Sequence, residues 1–190
     1  MNRSAHRVLR DNVTSQSVYC PMKPTVAHEH LPSIYESKVP FNTGRIQAAA
    51  IYCSDGRFGD QIDDFLHHEL RLPRYDRVTV PGGPACLAGH FPAYRHEEAV
   101  IDSLKFLVKV HHISRIVLIA HQNCAFYLDY LKVHSIDILE RQREDMMKAV
   151  RRVHDVAPHV KIDAYFARLC DNQIRFQTLD QMMERGQVDE

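Results

Sequence analysis

From Arg45 onward, short apolar runs alternate with longer stretches whose apolar positions recur every three to four residues, and this alternation constrains the fold more than any other feature. A strand covered on both faces needs no polar positions, whereas a crossover helix needs one apolar stripe. Strands are expected at Ile46–Tyr52, ending at Cys53, then at Arg77–Val80, Arg115–Ala120 and Val160–Leu169. Helices are expected at Asp60–Leu70, Glu97–Val110 and Ile136–Val153, the first stopped by Pro73 and the last by Pro158. After the turn pair Asp171-Asn172, Gln173–Leu179 folds back as an antiparallel edge strand, and the charged tail from Asp180 is expected to be a frayed helix. The fold class is therefore α/β: a mostly parallel four-stranded sheet with an antiparallel edge strand and helices on both faces.

Residues 1–44 lack this texture. Prolines and short polar pieces break them up, and they read as an arm ahead of a single domain at 45–190. Composition narrows the partners. Twenty-four basic residues balance twenty-four acidic ones, so no net field draws nucleic acid or an anionic membrane. The apolar runs are far shorter than the ~20 residues of a membrane helix. Five cysteines, an odd number, suit reduced thiols rather than a disulfide lattice, and the N-terminus shows no secretory h-region, so a cytoplasmic setting is expected.

Two strands end in polar clusters, Ile51-Tyr52-Cys53-Ser54-Asp55-Gly56-Arg57 and Leu118-Ile119-Ala120-His121-Gln122-Asn123-Cys124. Open α/β sheets bind ligands beyond the carboxyl ends of their strands, so the clusters converge if their strands are neighbours. Cys53, His121 and Cys124 then offer two thiolates and an imidazole. Zinc prefers such donors, and three of them leave a fourth tetrahedral position open. Taken singly, each cysteine also suits a packed core thiol and the histidine a satisfied core side chain. Asp55 and Arg57 are spaced for a bidentate pair, which is either a local salt bridge or the means of orienting a metal-bound water; Asp55 is also a possible direct ligand.

The paired motifs Cys53-x-Asp55-x-Arg57 and His121-x-x-Cys124 resemble those of the β-class carbonic anhydrases, C-x-D-x-R and H-x-x-C. The similarity runs from Arg45 to Leu179, with Ser103-Leu104-Lys105-Phe106 standing where that family has S-L-E-Y in its crossover helix. The resemblance implies one zinc ion per chain on Cys53, His121 and Cys124, with Asp55 and Arg57 as the catalytic dyad. It implies reversible hydration of carbon dioxide to bicarbonate by zinc-bound hydroxide, and, as in some members of that family, Asp55 is a possible fourth ligand in a closed state. It also implies substrate contacts at Gly83 and Ala125, and a helical N-terminal arm embracing a partner in a homodimer or dimer of dimers.

This chain departs from the family pattern at Val80-Pro81-Gly82-Gly83-Pro84, where R-N-A-G-N is usual and only Gly83 keeps register. Ala125-Phe126 replaces Gly-Ala after the second cysteine, setting a bulky ring near the substrate side. Those changes motivate alternatives: another linear substrate such as carbonyl sulfide or carbon disulfide, or a zinc protein with a structural or interaction role. A metal-free redox pair of Cys53 and Cys124 is a third. His28-x-His30, His67-His68 and His111-His112 are read as solvated surface, Cys86 as a packed thiol, and Phe58, Phe126 and Tyr127 as pocket or core aromatics.

Overall fold

Each apolar run becomes a strand in the computed structural model, which describes residues 32–184, with side chains to residue 182. In chain order the main elements are β1 (Ala48–Cys53), α1 (Gly59–Asp64), β2 (Asp76–Val80), α2 (Tyr94–Phe106) and β3 (Arg115–His121), followed by α3 (Ile138–Val156), β4 (Lys161–Cys170), β5 (Gln173–Thr178) and α4 (Leu179–Glu184). One sheet holds all five strands in the order β2-β1-β3-β4-β5. β1 pairs in parallel with β2 and β3, β3 pairs in parallel with β4, and β5 closes the edge antiparallel to β4. The expected architecture stands.

Alternation along β1 sorts its side chains between two helical layers. Ala49 and Ile51 pack with Leu118, Leu104, Met146 and Val153 on the side of α2 and α3. Ala48, Ala50 and Tyr52 pack with Ile119, Ile62 and Leu66 on the side of α1. Both β1 and β3 are therefore covered on two faces, which is why neither carries a polar face in sequence.

The helices differ from expectation at their ends. α1 continues as a π turn over Phe65–Glu69 and α2 as another over Leu107–His111, and a third π turn forms at Phe126–Tyr130. Each is followed closely by a residue in the left-handed region: Arg71 (φ 57°), His112 (φ 53°) and Lys132 (φ 57°). Glycine usually takes that position, and its absence removed the sequence mark of the helix end. The tail is docked rather than frayed through α4, since Met182 is buried in the layer that contains α3. Residues 32–44 form no helix or strand, and the expected helical arm otherwise falls on residues 1–31, outside the described residues.

A buried polar cluster fixes α3 against the loops below it. Asp145 is 0% exposed, with His90 Nε2 2.6 Å from Oδ2 and Arg141 Nε 3.3 Å from Oδ1. Burial first, and the neighbouring Asp145 charge next, hold the Tyr127 phenol well above its ordinary range. One carboxylate thus joins α3, the segment ending at His90 and the π turn at Phe126–Tyr130. Asp145→Ala should cost about 3–5 kcal/mol in urea denaturation by stranding the groups that face it. Asp155→Ala, at an exposed position of α3, should stay within about 0.5 kcal/mol.

Candidate metal centre

The strand order reverses beside β1: β2 lies on one side of it, and β3, β4 and β5 on the other. Loops leaving the carboxyl ends of β1 and β3 part there and open a crevice. Parallel register sets Tyr52 beside Ile119, so Cys53 at the end of β1 and His121 at the end of β3 arrive at the same level. The turn after β3 then returns Cys124 to them. One ligand atom from each of the three residues lies within 4.8 Å of the other two, and all three residues are buried.

The donor geometry fits a metal ion. The two sulfurs are 3.7 Å apart. A tetrahedral zinc with Zn–S bonds of ~2.3 Å would set them about 3.8 Å apart, whereas a disulfide needs ~2.05 Å. His121 Nδ1 lies 2.8 Å from the carbonyl oxygen of Gln122. A carbonyl can only accept, so Nδ1 carries the proton and Nε2 is a bare lone pair. That Nε2 is buried without a hydrogen-bond partner. Gln142 of α3 donates from Nε2 to the His121 carbonyl at 2.8 Å, and the Phe58 ring lies over the imidazole with centroids 4.2 Å apart, so the ring is held from several sides.

The thiols are prepared unequally. A hydrogen bond from Cys124 lowers Cys53 most, against the burial that raises it, and the backbone N–H groups of Asp55 and Gly82 aid the lowering. That same bond, with burial, pushes Cys124 up. The pair thus favours ionisation of Cys53 over that of Cys124.

Asp55 stands outside this donor cluster. Arg57 Nε donates to its Oδ1 at 2.9 Å and Nη2 to its Oδ2 at 2.5 Å, while the Arg57 backbone N–H adds a bond to Oδ1 at 3.1 Å. These bonds to Arg57 hold the carboxyl down to about 2. The pairing therefore supports the folded chain above the ordinary carboxylate range near ~4 and is lost as pH falls toward about 2.

Two glycines let the next loop close on the site. Gly82 and Gly83 have φ of +80° and +54°. A Cβ on Gly83 would sit 2.7 Å from the Cys53 nitrogen and the Tyr52 carbonyl carbon, and one on Gly82 would enter the Phe126 ring at 2.6 Å. Phe126 is thus packed beneath this loop, with the Tyr130 ring stacked on it at 5.2 Å. Tyr127 is buried, and Ala125 is exposed beside Cys124. Cys86 is a fully buried thiol that burial pushes up to about 12. His68 pairs with Asp64 and His111 with Asp76 away from the donors, while His28 and His30 lie outside the described residues. The residues that sequence reasoning missed are Gln142 and Gln122, since a polar position in an amphipathic helix and one in a turn look like ordinary surface.

The model of a family described as putative carbonic anhydrase matches residues 43–178. An uncharacterized protein of Rickettsia bellii is 22% identical over 153 residues, covering 78% of this chain and 87% of its own. Among solved structures, β-carbonic anhydrase isoform I of Trichomonas vaginalis aligns at a TM-score of 0.47 with 13% identity, over 75% of this chain and 88% of its own. The apo form of a carbon disulfide hydrolase aligns at 0.47 with 14% identity, over 77% and 84%.

Zinc titrated into the metal-free chain at pH 7 in weak buffer should release about one proton per ion, because Cys53 is already a thiolate and only Cys124 must ionise. Release of two protons, read by a pH indicator, would show that the thiols are not coupled in this way. Cys124→Ser should lose high-affinity binding.

Proposed function

The chain belongs to the family of putative carbonic anhydrases, and from that membership we propose that it hydrates carbon dioxide reversibly to bicarbonate, with one zinc ion per chain on Cys53, His121 and Cys124. The observation that carries this reading is the buried cluster of two sulfurs and one bare imidazole nitrogen. Zinc, when bound, supplies a Lewis acid that brings the pKa of a coordinated water from ~15.7 to about 7 and so a nucleophile at neutral pH. Three protein donors leave the fourth tetrahedral position to that water.

Asp55 acts as an acceptor that orients. A carboxyl held down to about 2 keeps no proton at neutral pH, so its role is to accept a hydrogen bond and aim the donor. Arg57 fixes Asp55 through Nε and Nη2, and its Nη1 makes no bond to Asp55, which leaves a donor for an oxygen of bicarbonate. Arg57 holds Asp55 here through Nε and Nη2; released from that pair, Asp55 would be able to serve as a fourth metal ligand and so close the site. Ala125, exposed beside Cys124, and the main chain at Gly83, which its missing Cβ brings against Cys53, are assigned to the substrate side. Among the described residues no helix is long and apolar enough to cross a membrane. The cytoplasmic setting and the homodimer or dimer of dimers, with residues 1–44 as its arm, belong to this proposal.

One observation favours a second reading. The segment Val80–Pro84, where the family pattern is lost, is spent on packing against Cys53 and Phe126, which suits a structural zinc or an altered pocket for carbonyl sulfide or carbon disulfide. Stopped-flow hydration of carbon dioxide by zinc-loaded protein separates them. The expected result is activity rising through an apparent pKa of about 7. Arg57→Ala should lower kcat roughly 10- to 100-fold with zinc retained. Bound zinc without hydration at any pH contradicts the first reading.

A further inference from the structure

A second cavity, of about 220 Å³, lies on the β4 side of His121 and includes none of the three metal donors. Its polar wall is Gln122, Asn123, Ser135, Gln142 and Arg168; Phe166 and aliphatic side chains complete it. The volume is several times the ~30 Å³ share of one water and below the ~300–1,000 Å³ of drug-sized sites, so it suits a ligand of few heavy atoms.

The charge in this wall has one sign. Arg168 is its only ionisable side chain, and among the described residues it joins no ion pair. Its Nε is buried without a hydrogen-bond partner, and its guanidinium lies over the Phe166 ring at 5.8 Å. Arg175, directly across the antiparallel pair, lies outside the wall and is paired with Asp171 at 3.6 Å, so Arg168 is the cation that the cavity holds. Gln122 accepts the Leu169 N–H at its Oε1, so its amide nitrogen is left to donate. Ile138 and Leu139, the first residues of the 19-residue α3, also line the cavity, while the carboxylates that flank them, Asp137 and Glu140, are not in its wall. An unpaired guanidinium, amide donors and a hydroxyl, in a wall without a carboxylate, share one complement.

We propose that this cavity binds a small oxyanion on Arg168, with Gln122 and Asn123 as further donors, at a site separate from the metal centre. The proposal does not depend on the hydration reading. It bears on that reading all the same: the main-chain carbonyl of Gln122 accepts a hydrogen bond from His121 Nδ1–H, the Gln142 amide donates to the His121 carbonyl, and both residues line the cavity.

The test uses the chain stripped of metal by chelation and titrated separately with inorganic phosphate and with bicarbonate, following the side-chain N–H signals of Gln122, Asn123, Gln142 and Arg168 by NMR. Saturable shifts with at least one of the two anions are expected, and the anion that binds more tightly identifies the preferred charge. Arg168→Gln should weaken binding at least roughly tenfold, and Arg168→Lys, which keeps the charge but loses the fork, by an intermediate factor. Melting curves establish that each variant is folded. No saturation with either anion, or undiminished binding by folded Arg168→Gln, overturns the proposal. Should neither variant fold, selenate diffused into crystals of the unmodified metal-free chain decides: anomalous density bonded to Arg168 supports the site, and density only elsewhere overturns it.

Discussion

Parallel pairing of β1 with β3 is the constraint on which the site depends. Both strands are buried on both faces, so their register is fixed by two cores at once, and a slip of one residue would turn every side chain to the wrong layer. With that register locked, Cys53 and His121 leave the sheet side by side, at the place where the strand order reverses. Metal-binding geometry here is a property of the sheet more than of the loops.

The loops then have to close on two sulfurs without stranding polar groups. Left-handed backbone at Gly82 and Gly83 brings the segment after β2 against the end of β1, and the Gly82 N–H reaches Cys53. Asp145, buried with His90, Tyr127 and Arg141, ties that segment and the turn after Cys124 to α3. A buried carboxylate is costly to desolvate, and this one is tolerated because His90 bonds it and the cations of Arg141 and Lys148 stand within 4 Å of it. The same helix supplies Gln142 to the His121 carbonyl, so α3 supports the site in two ways.

Much of this was legible in the residues. Apolar runs without polar positions marked the buried parallel strands, and the polar clusters at their ends singled out Cys53, His121 and Cys124, which the fold brings together, and Asp55 and Arg57, which it pairs. Illegible features have physical reasons. Helix ends at Arg71 and His112 use left-handed residues other than glycine, so no glycine marked them. Phe126 reads equally as a pocket wall or a core ring, and only the approach of Gly82 decides that it is packed. Gln122, Gln142, Asp145 and Arg168 are polar positions whose partners are far off in sequence, and single-chain patterns carry no signal for such pairs.

The central claim is that Cys53, His121 and Cys124 form an open three-donor zinc site. X-ray absorption at the zinc edge of the purified, reduced protein tests it directly. The account predicts two sulfur neighbours at about 2.3 Å, one imidazole nitrogen at about 2.0–2.1 Å and one further light ligand. A shell with one sulfur or none, or a closed shell of four cysteine and histidine donors, would contradict it.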